Sequence, residues 1–363
     1  MNARAIPPAV CSGLARTCAL LLFAFLLAGP AVAQGFAGLG AEAEGFAVPQ
    51  RGAPFSFPRD HGAHPEFRIE WWYVTANLVG DDGRDYGAQW TLFRSAAAPY
   101  EGEGWASPQL WMGNAAVTTP DRHHSAERLA RGGIGQAGVT AAPFAAWIDE
   151  WRLKADGGEG IDRLVMTAAG PDFRYRLALA ATGPIVAQGE GGYSVKSAAG
   201  QASRYYSQPF YTVSGTLEIS GRTVAVTGRA WLDREWSSQP LAADQTGWDW
   251  FSLHFSSGEK MMGFRLRDSG GGYTSGTWIA ADGTPTPLAA NALRMTPGRT
   301  ARVAGREIPV EWRLELPEKG LDIAVRALNA AAWVDSRYPY WEGPVRVTGS
   351  AEGIGYLEMT GYE

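Results

Sequence analysis

The chain has 363 residues, a formal net charge of −5 and an aromatic content of 12%. The mild acidity, with no run of like charges, excludes the basic face that nucleic acid or an anionic lipid surface requires. Its 15 Trp, 46 Gly and 22 Pro suit short strands joined by tight turns, and its two cysteines, Cys11 and Cys18, supply no disulfide framework.

Residues 1–33 read as a signal peptide. Arg4 and Arg16 give a positive start, Cys18 to Ala28 is a continuous apolar stretch, and Ala31-Val32-Ala33 is a small-x-small cleavage pattern. The apolar run is shorter than the roughly 20 residues that span a bilayer, and Gly29-Pro30 ends it. Export with cleavage is therefore expected, placing the mature chain in the periplasm or outside the cell with no transmembrane anchor and no cysteine. Residues 34–54, rich in Gly and Ala, read as a flexible leader.

Next comes Phe57-Pro58-Arg59-Asp60-His61-Gly62-Ala63-His64-Pro65. His61 and His64 with Glu66 are candidate metal ligands. No second His or Cys cluster completes such a site, so an ordered turn or a catalytic histidine is the stronger reading, and no metal is expected. A strand is expected from Arg68 to Val79, turning at Asp81-Asp82-Gly83 and returning from Tyr86 to Arg94. Within it, Glu70, Trp72 and Val74 share one face and Trp71, Tyr73 and Thr75 the other. A carboxyl buried against tryptophan has its pKa raised and can deliver a proton; pairing of Glu70 with Arg68 or Arg94 is the equal alternative. A short helix is expected over Ser125 to Ala130, with Ser125 as N-cap.

Later hairpins run from Tyr211 to Ile219, across Ser220-Gly221 and back from Arg222 to Trp231, and from Trp312 to Leu316 back through Leu321 to Leu328. In Trp231-Leu232-Asp233-Arg234-Glu235-Trp236, alternation puts Trp231, Asp233 and Glu235 on one side, and two acids beside a tryptophan can split their pKa values. An acid–arginine network is the other reading of this cluster. Pro240 to Ala243 marks a boundary between residues 55–240 and 241–363. Beyond it, Trp248, Trp250, Ser252 and His254 share a face, and Trp250-Phe251-Ser252 with Gly263 to Arg267 loosely echoes the first hairpin. The last strand carries Tyr356 and Glu358 on a common face. No Gly-x-Ser-x-Gly elbow, phosphate-cradling glycine loop or His-Glu-x-x-His is present. Polar chemistry therefore falls to carboxylates, tyrosines and a few histidines.

Three of these segments together resemble the family of AttH and carotenoid 1,2-hydratase (hydroxyneurosporene synthase). They are Asp60 to Pro65 with Glu70-Trp71-Trp72-Tyr73, Trp231 to Trp236, and Gly355 to Tyr362. The resemblance spans nearly all of the mature chain. It implies an all-β protein of two packed lipocalin-like antiparallel β-barrel domains, exported and often labelled a secreted hydrolase. One branch adds water to a terminal isoprenoid double bond without a cofactor, and fungal relatives shape polyenes for ring closure. The chain is more similar to the secreted, AttH-like branch, since no histidine stands beside Asp233. The expectation is an apolar-ligand protein, with cofactor-free hydration or hydrolysis, or else a non-catalytic carrier or chaperone. A link to an ABC-type export system is implied by the resemblance alone. Asp233 and Glu235 are the first candidates for acid and base, followed by Glu70, His61 and His64. Trp71, Tyr73, Trp231, Trp236, Trp248, Trp250, His254 and Tyr356 are the candidate ligand contacts.

Overall fold

The structure, a computed structural model, describes Leu39 and residues 43–362; the expected signal peptide lies outside the described residues. Thirteen strands form the first sheet: β1 (Ile69–Gly80), β2 (Asp85–Ala96), β3 (Gln109–Thr118), β4 (His123–Arg131), β5 (Ala137–Ala141), β6 (Phe144–Ile148), β7 (Trp151–Ala155), β8 (Arg163–Ala169), β9 (Phe173–Ala181), β10 (Val186–Ala187), β11 (Tyr193–Val195), β12 (Ala202–Ile219) and β13 (Arg222–Ser237). The second part of the chain adds β14 (Gly247–Phe255), β15 (Lys260–Arg267), β16 (Tyr273–Ile279), β17 (Pro285–Pro287), β18 (Arg294–Pro297), β19 (Thr300–Val303), β20 (Arg306–Pro309), β21 (Glu311–Leu316), β22 (Leu321–Ala327), β23 (Trp333–Val334), β24 (Tyr340–Gly349) and β25 (Gly353–Met359). Ten of these form the second sheet, and β19 and β20 pair separately.

Every pairing is antiparallel, and the two sheets share a plan. The order in the first is β4-β3-β2-β1-β13-β12-β9-β8-β7-β6-β5, and in the second β17-β16-β15-β14-β25-β24-β22-β21-β18. In each, the last strand returns to pair with the first, so the meander curls round and opens at one seam only, as an up-and-down barrel does. One of the two is a nearly closed barrel and the other a half-barrel. The echo between the two hairpins corresponds to this plan: β1–β2 and β14–β15 are the opening hairpins of the two sheets.

The turns form where residues tolerate positive φ. Ser220 and Gly221, at φ 50° and 78°, make the tight link between β12 and β13, and Gly83 at φ 76° serves the β1–β2 hairpin. The helix expected over Ser125 to Ala130 is instead part of β4, paired along its length with β3 from Thr118↔His123 to Leu110↔Arg131. Six residues are too short to hold a helix against nine cross-strand partners already laid out on β3. Residues 43–54 contain no strand but are fastened to the first barrel. Ala47 N donates to Glu66 O at 2.9 Å, Ser238 Oγ to Ala47 O at 2.5 Å and Arg204 Nη2 to Ala53 O at 2.6 Å.

Each barrel has its own core. Leu153, Met166, Trp72 and Trp151 fill the first, and Leu314, Val325, Trp312 and Trp341 the second. Burying one such Leu or Met contributes roughly 1.5–3 kcal/mol. A third apolar cluster, containing Tyr73, Tyr205, Trp231, Trp250, Phe264 and Tyr356, draws on both halves of the chain and forms the seam between them. Strand β1 and the second half of β13, from Ala230 onward, are consequently buried on both faces for most of their length. The seam is tight at Gly87, where a Cβ would lie 2.5 Å from the Tyr356 hydroxyl and 2.7 Å from Pro344.

Candidate functional site

At one end of this seam the barrels part to leave a cavity of two adjoining lobes, with Leu39, Ile69, Phe93, Trp248 and Glu358 on the walls of both. The outer lobe, about 540 Å³, lies against β2, β3 and β4 and is bounded by Leu110, Trp111 and Leu129 with Tyr340 from the second domain. The inner lobe, about 100 Å³, is walled by Trp71, Tyr73, Trp248, Trp250 and Phe264, with Asp233, Glu235, Lys196 and Tyr205 among its polar groups.

Strand alternation aims β13 into this lobe. With Leu232, Arg234 and Trp236 facing the first barrel, Asp233 and Glu235 face the seam. The carboxyl of Asp233 accepts from Tyr205 Oη at 2.7 Å, Ser207 Oγ at 2.5 Å and Trp231 Nε1 at 2.6 Å. Burial pushes its pKa up to about 7, a rise those three donors only partly offset. Glu235 meets Lys196 Nζ at 2.7 Å and accepts from Ser203 Oγ, so its charge has a partner.

Across the seam, β25 delivers Glu358 in register with Trp250 of β14. Trp248 Nε1 donates to it at 2.5 Å, and burial raises its pKa to about 7 as well. Behind it on β24, Glu342 accepts from the Tyr73 hydroxyl, has its other oxygen unpaired, and is held well above the carboxylate range by burial and by Glu358. The cavity thus carries two carboxyls that are each half-protonated near neutrality, which is the state acid–base work at pH 7 demands.

The sequence-predicted residues divide between this cavity and the interior of the first barrel. Asp233, Glu235, Trp71, Tyr73, Trp248 and Trp250 line the inner lobe. Trp231 stands behind Asp233 as a donor, and His254 packs edge-on against it at 5.6 Å. Burial beside Lys260 and Arg229 lowers the His254 pKa to about 3, so that imidazole is neutral. Tyr356 packs in the seam cluster.

Glu70, His61, His64 and Trp236 lie on the opposite face of β1 and β13. Glu70 accepts from Arg94 Nε, from Arg234 Nη2 and from His64 N at 2.8 Å, while the His64 ring stacks on Trp236 at 4.0 Å. His61 Nδ1 lies 2.7 Å from the Tyr206 hydroxyl, and burial with Arg234 lowers its pKa to about 4. The raised pKa expected of Glu70 is overturned: burial works upward, but Arg234 and Arg94 outweigh it and hold the carboxyl well below its ordinary range. It forms a buried ion network fastening the Asp60–Pro65 turn to the barrel, the arginine-paired alternative.

Sequence reasoning missed Glu358 as a site residue, together with Glu342, Tyr205, Lys196 and Asn114. The available signal for the two glutamates was a single carboxylate in an otherwise apolar strand, Gly355-Tyr356-Leu357-Glu358-Met359 and Tyr340-Trp341-Glu342.

Comparison with known proteins agrees with this architecture. The crystal structure of a protein described as a putative AttH from Nitrosomonas europaea superposes with a TM-score of 0.79 at 33% identity, covering 88% of this chain and 100% of that one. Kievitone hydratase from Nectria haematococca superposes with a TM-score of 0.67 at 16% identity, over 88% of this chain and 97% of that one, a likeness of fold. No functionally curated protein matches the sequence. The family model described as AttH-like matches residues 48–362, and the chain belongs to that family.

Proposed function

We propose that this chain, exported by its N-terminal segment, binds an apolar isoprenoid- or lipid-like ligand between its barrels and hydrates a carbon–carbon double bond of it without a cofactor. The observation that carries the reading is the pair Asp233 and Glu358, two buried carboxyls of near-neutral pKa on the wall of one tryptophan-lined lobe. Protonated Asp233 gives its hydrogen to one alkene carbon, directly or through the Tyr205 hydroxyl 2.7 Å away. The cation left on the other carbon is faced by the rings of Trp248 and Trp250, whose π electrons stabilise it. Water attacks that carbon to form the C–O bond, and its surplus proton passes to ionised Glu358. Transfer of that proton to Asp233 through solvent restores the resting state. The same two groups, used in reverse, would dehydrate an alcohol, and in place of an alkene they could hydrolyse an ester.

A non-catalytic carrier is the second reading, and one observation favours it: three donors already occupy the two oxygens of Asp233. Native mass spectrometry with lipid extraction on the chain purified from its exported fraction would identify a co-purifying ligand. Turnover of that ligand should fall at least about 100-fold in Asp233→Asn and in Glu358→Gln, with affinity changed less than about two-fold. Unchanged turnover in both variants sinks the acid–base assignment. Binding without any turnover in the wild type favours the carrier.

A further inference from the structure

We propose that the cavity selects a long-chain amphiphile with an anionic head group, the head held at the mouth by Arg131 and Arg337 and the chain lying inward along the apolar wall. The proposal rests on the reading of the cavity as a ligand site and adds the class of ligand.

Charge is the first observation. The protein as a whole is acidic, at −5, yet four arginines and only one carboxylate, Glu358, lie on the walls of the outer lobe. Two of the four are committed: Arg94 to Glu70, and Arg68 to Ser238 O at 2.6 Å and Leu39 O at 3.2 Å. The side chains of Arg131 and Arg337 are exposed and make no salt bridge or hydrogen bond among the described residues. Glu127 accepts from the backbone nitrogen of Arg337 at 2.9 Å and makes no salt bridge to its guanidinium. A cleft of one sign with low-dielectric walls concentrates ions of the opposite sign.

The second observation is where these cations sit. Arg131 is directly across the β3–β4 pair from Leu110, and Leu110 and Leu129 are 52% and 51% exposed on the same rim. Exposed leucines beside unpaired guanidiniums suit the junction between an anionic head and an alkyl chain. The third lies deeper. Asn114 lines the lobe at 1% exposure, with neither its amide oxygen nor its amide nitrogen hydrogen-bonded among the described residues. A buried carbonyl without a donor is costly in an empty protein and would be satisfied by a hydroxyl on the bound chain. The outer lobe, at about 540 Å³, is within the range that encloses a ligand of this size.

The test is calorimetric titration of the full exported chain with palmitoleic acid, hexadecyl phosphate, methyl palmitoleate and palmitoleyl alcohol, each below its micelle concentration. The acid and the phosphate should bind about ten-fold tighter than the neutral ester and alcohol, from two exposed ion pairs. Raising the salt should shrink that advantage. The double variant R131Q/R337Q, which alters only exposed side chains, should reduce it to about two-fold or less while leaving ester binding unchanged. A tighter acid points to a fatty-acid source and a tighter phosphate to a phospholipid-like one; either supports the anionic head. Equal binding of acid and ester in the wild type overturns the proposal and leaves the apolar cavity standing, as does a preference that survives in the double variant. Binding of none of the four overturns both.

Discussion

Replacing Asp233 by Asn separates its charge from its shape. The amide keeps an oxygen for Ser207 and Trp231, which donate at 2.5 and 2.6 Å, and places a donor toward the Tyr205 oxygen in place of the acceptor now at 2.7 Å. What it removes is a carboxyl whose pKa burial has raised from the ordinary 3.8 to about 7. A raised acid stabilises the folded state while it is protonated. That contribution is full below the unfolded pKa of 3.8, declines as pH rises, and is gone above the folded pKa of about 7. Between pH 5 and pH 8 the interval crossed is about two units, and at 1.36 kcal/mol per unit Asp233 alone should cost the wild type about 3 kcal/mol. Urea unfolding at half-unit steps across that range is the assay. The free-energy difference between Asp233→Asn and wild type should move by about 3 kcal/mol in favour of the variant, with the same denaturant slope in both. Glu358 titrates over the same interval, so the wild type should lose more than this single share, and the variant should keep the remainder. Stability curves that stay parallel from pH 5 to pH 8 would refute the raised pKa and remove the physical basis for Asp233 as a proton donor.

Glu70→Gln should destabilise the fold by about 3–5 kcal/mol in the same assay, because it strips the charge from a fully buried carboxylate and leaves the guanidiniums of Arg94 and Arg234 uncompensated. Glu70 has the opposite linkage sign: with its pKa lowered, its contribution is present above the ordinary carboxylate range and fails as pH drops below it. Gly87→Ala should cost about 1–3 kcal/mol and lower the melting temperature, since the added methyl meets Tyr356 and Pro344 across the seam. A wild-type melting temperature in Gly87→Ala would show that the barrels can shift apart freely. Leu39→Ala should speed uptake of a fluorescent fatty acid in stopped flow, because Leu39 lies on the walls of both lobes; an unchanged association rate would show that this side chain does not obstruct entry.

Alternation and turn chemistry made most of the strands legible, since period-two patterns and the Gly83 and Ser220-Gly221 turns are local properties of the chain. The same local reading failed at Ser125 to Ala130, where nine paired residues of β3 impose a strand on a segment with helical signals of its own. At the site, alternation separated the Asp233 face from the Arg234 face correctly, because a strand's two sides follow from the pleat alone.

Which acid would have its pKa raised was beyond the sequence. Glu70 and Asp233 both stand beside tryptophans on central strands, and both are buried. Arg94 and Arg234, 24 and 164 positions away, converge on Glu70 and stabilise its charge. Asp233 receives only neutral donors and rises toward neutrality. Glu358 joins it from the far end of the chain because the second sheet, like the first, pairs its last strand with its first. The chain by itself determined the strands and the two faces of each. What lies opposite a face, and therefore whether a carboxyl there is charged, was decided by barrel closure and by the packing of one barrel on the other. Electrostatic environment depends on distances in space, and no spacing along the chain encodes them.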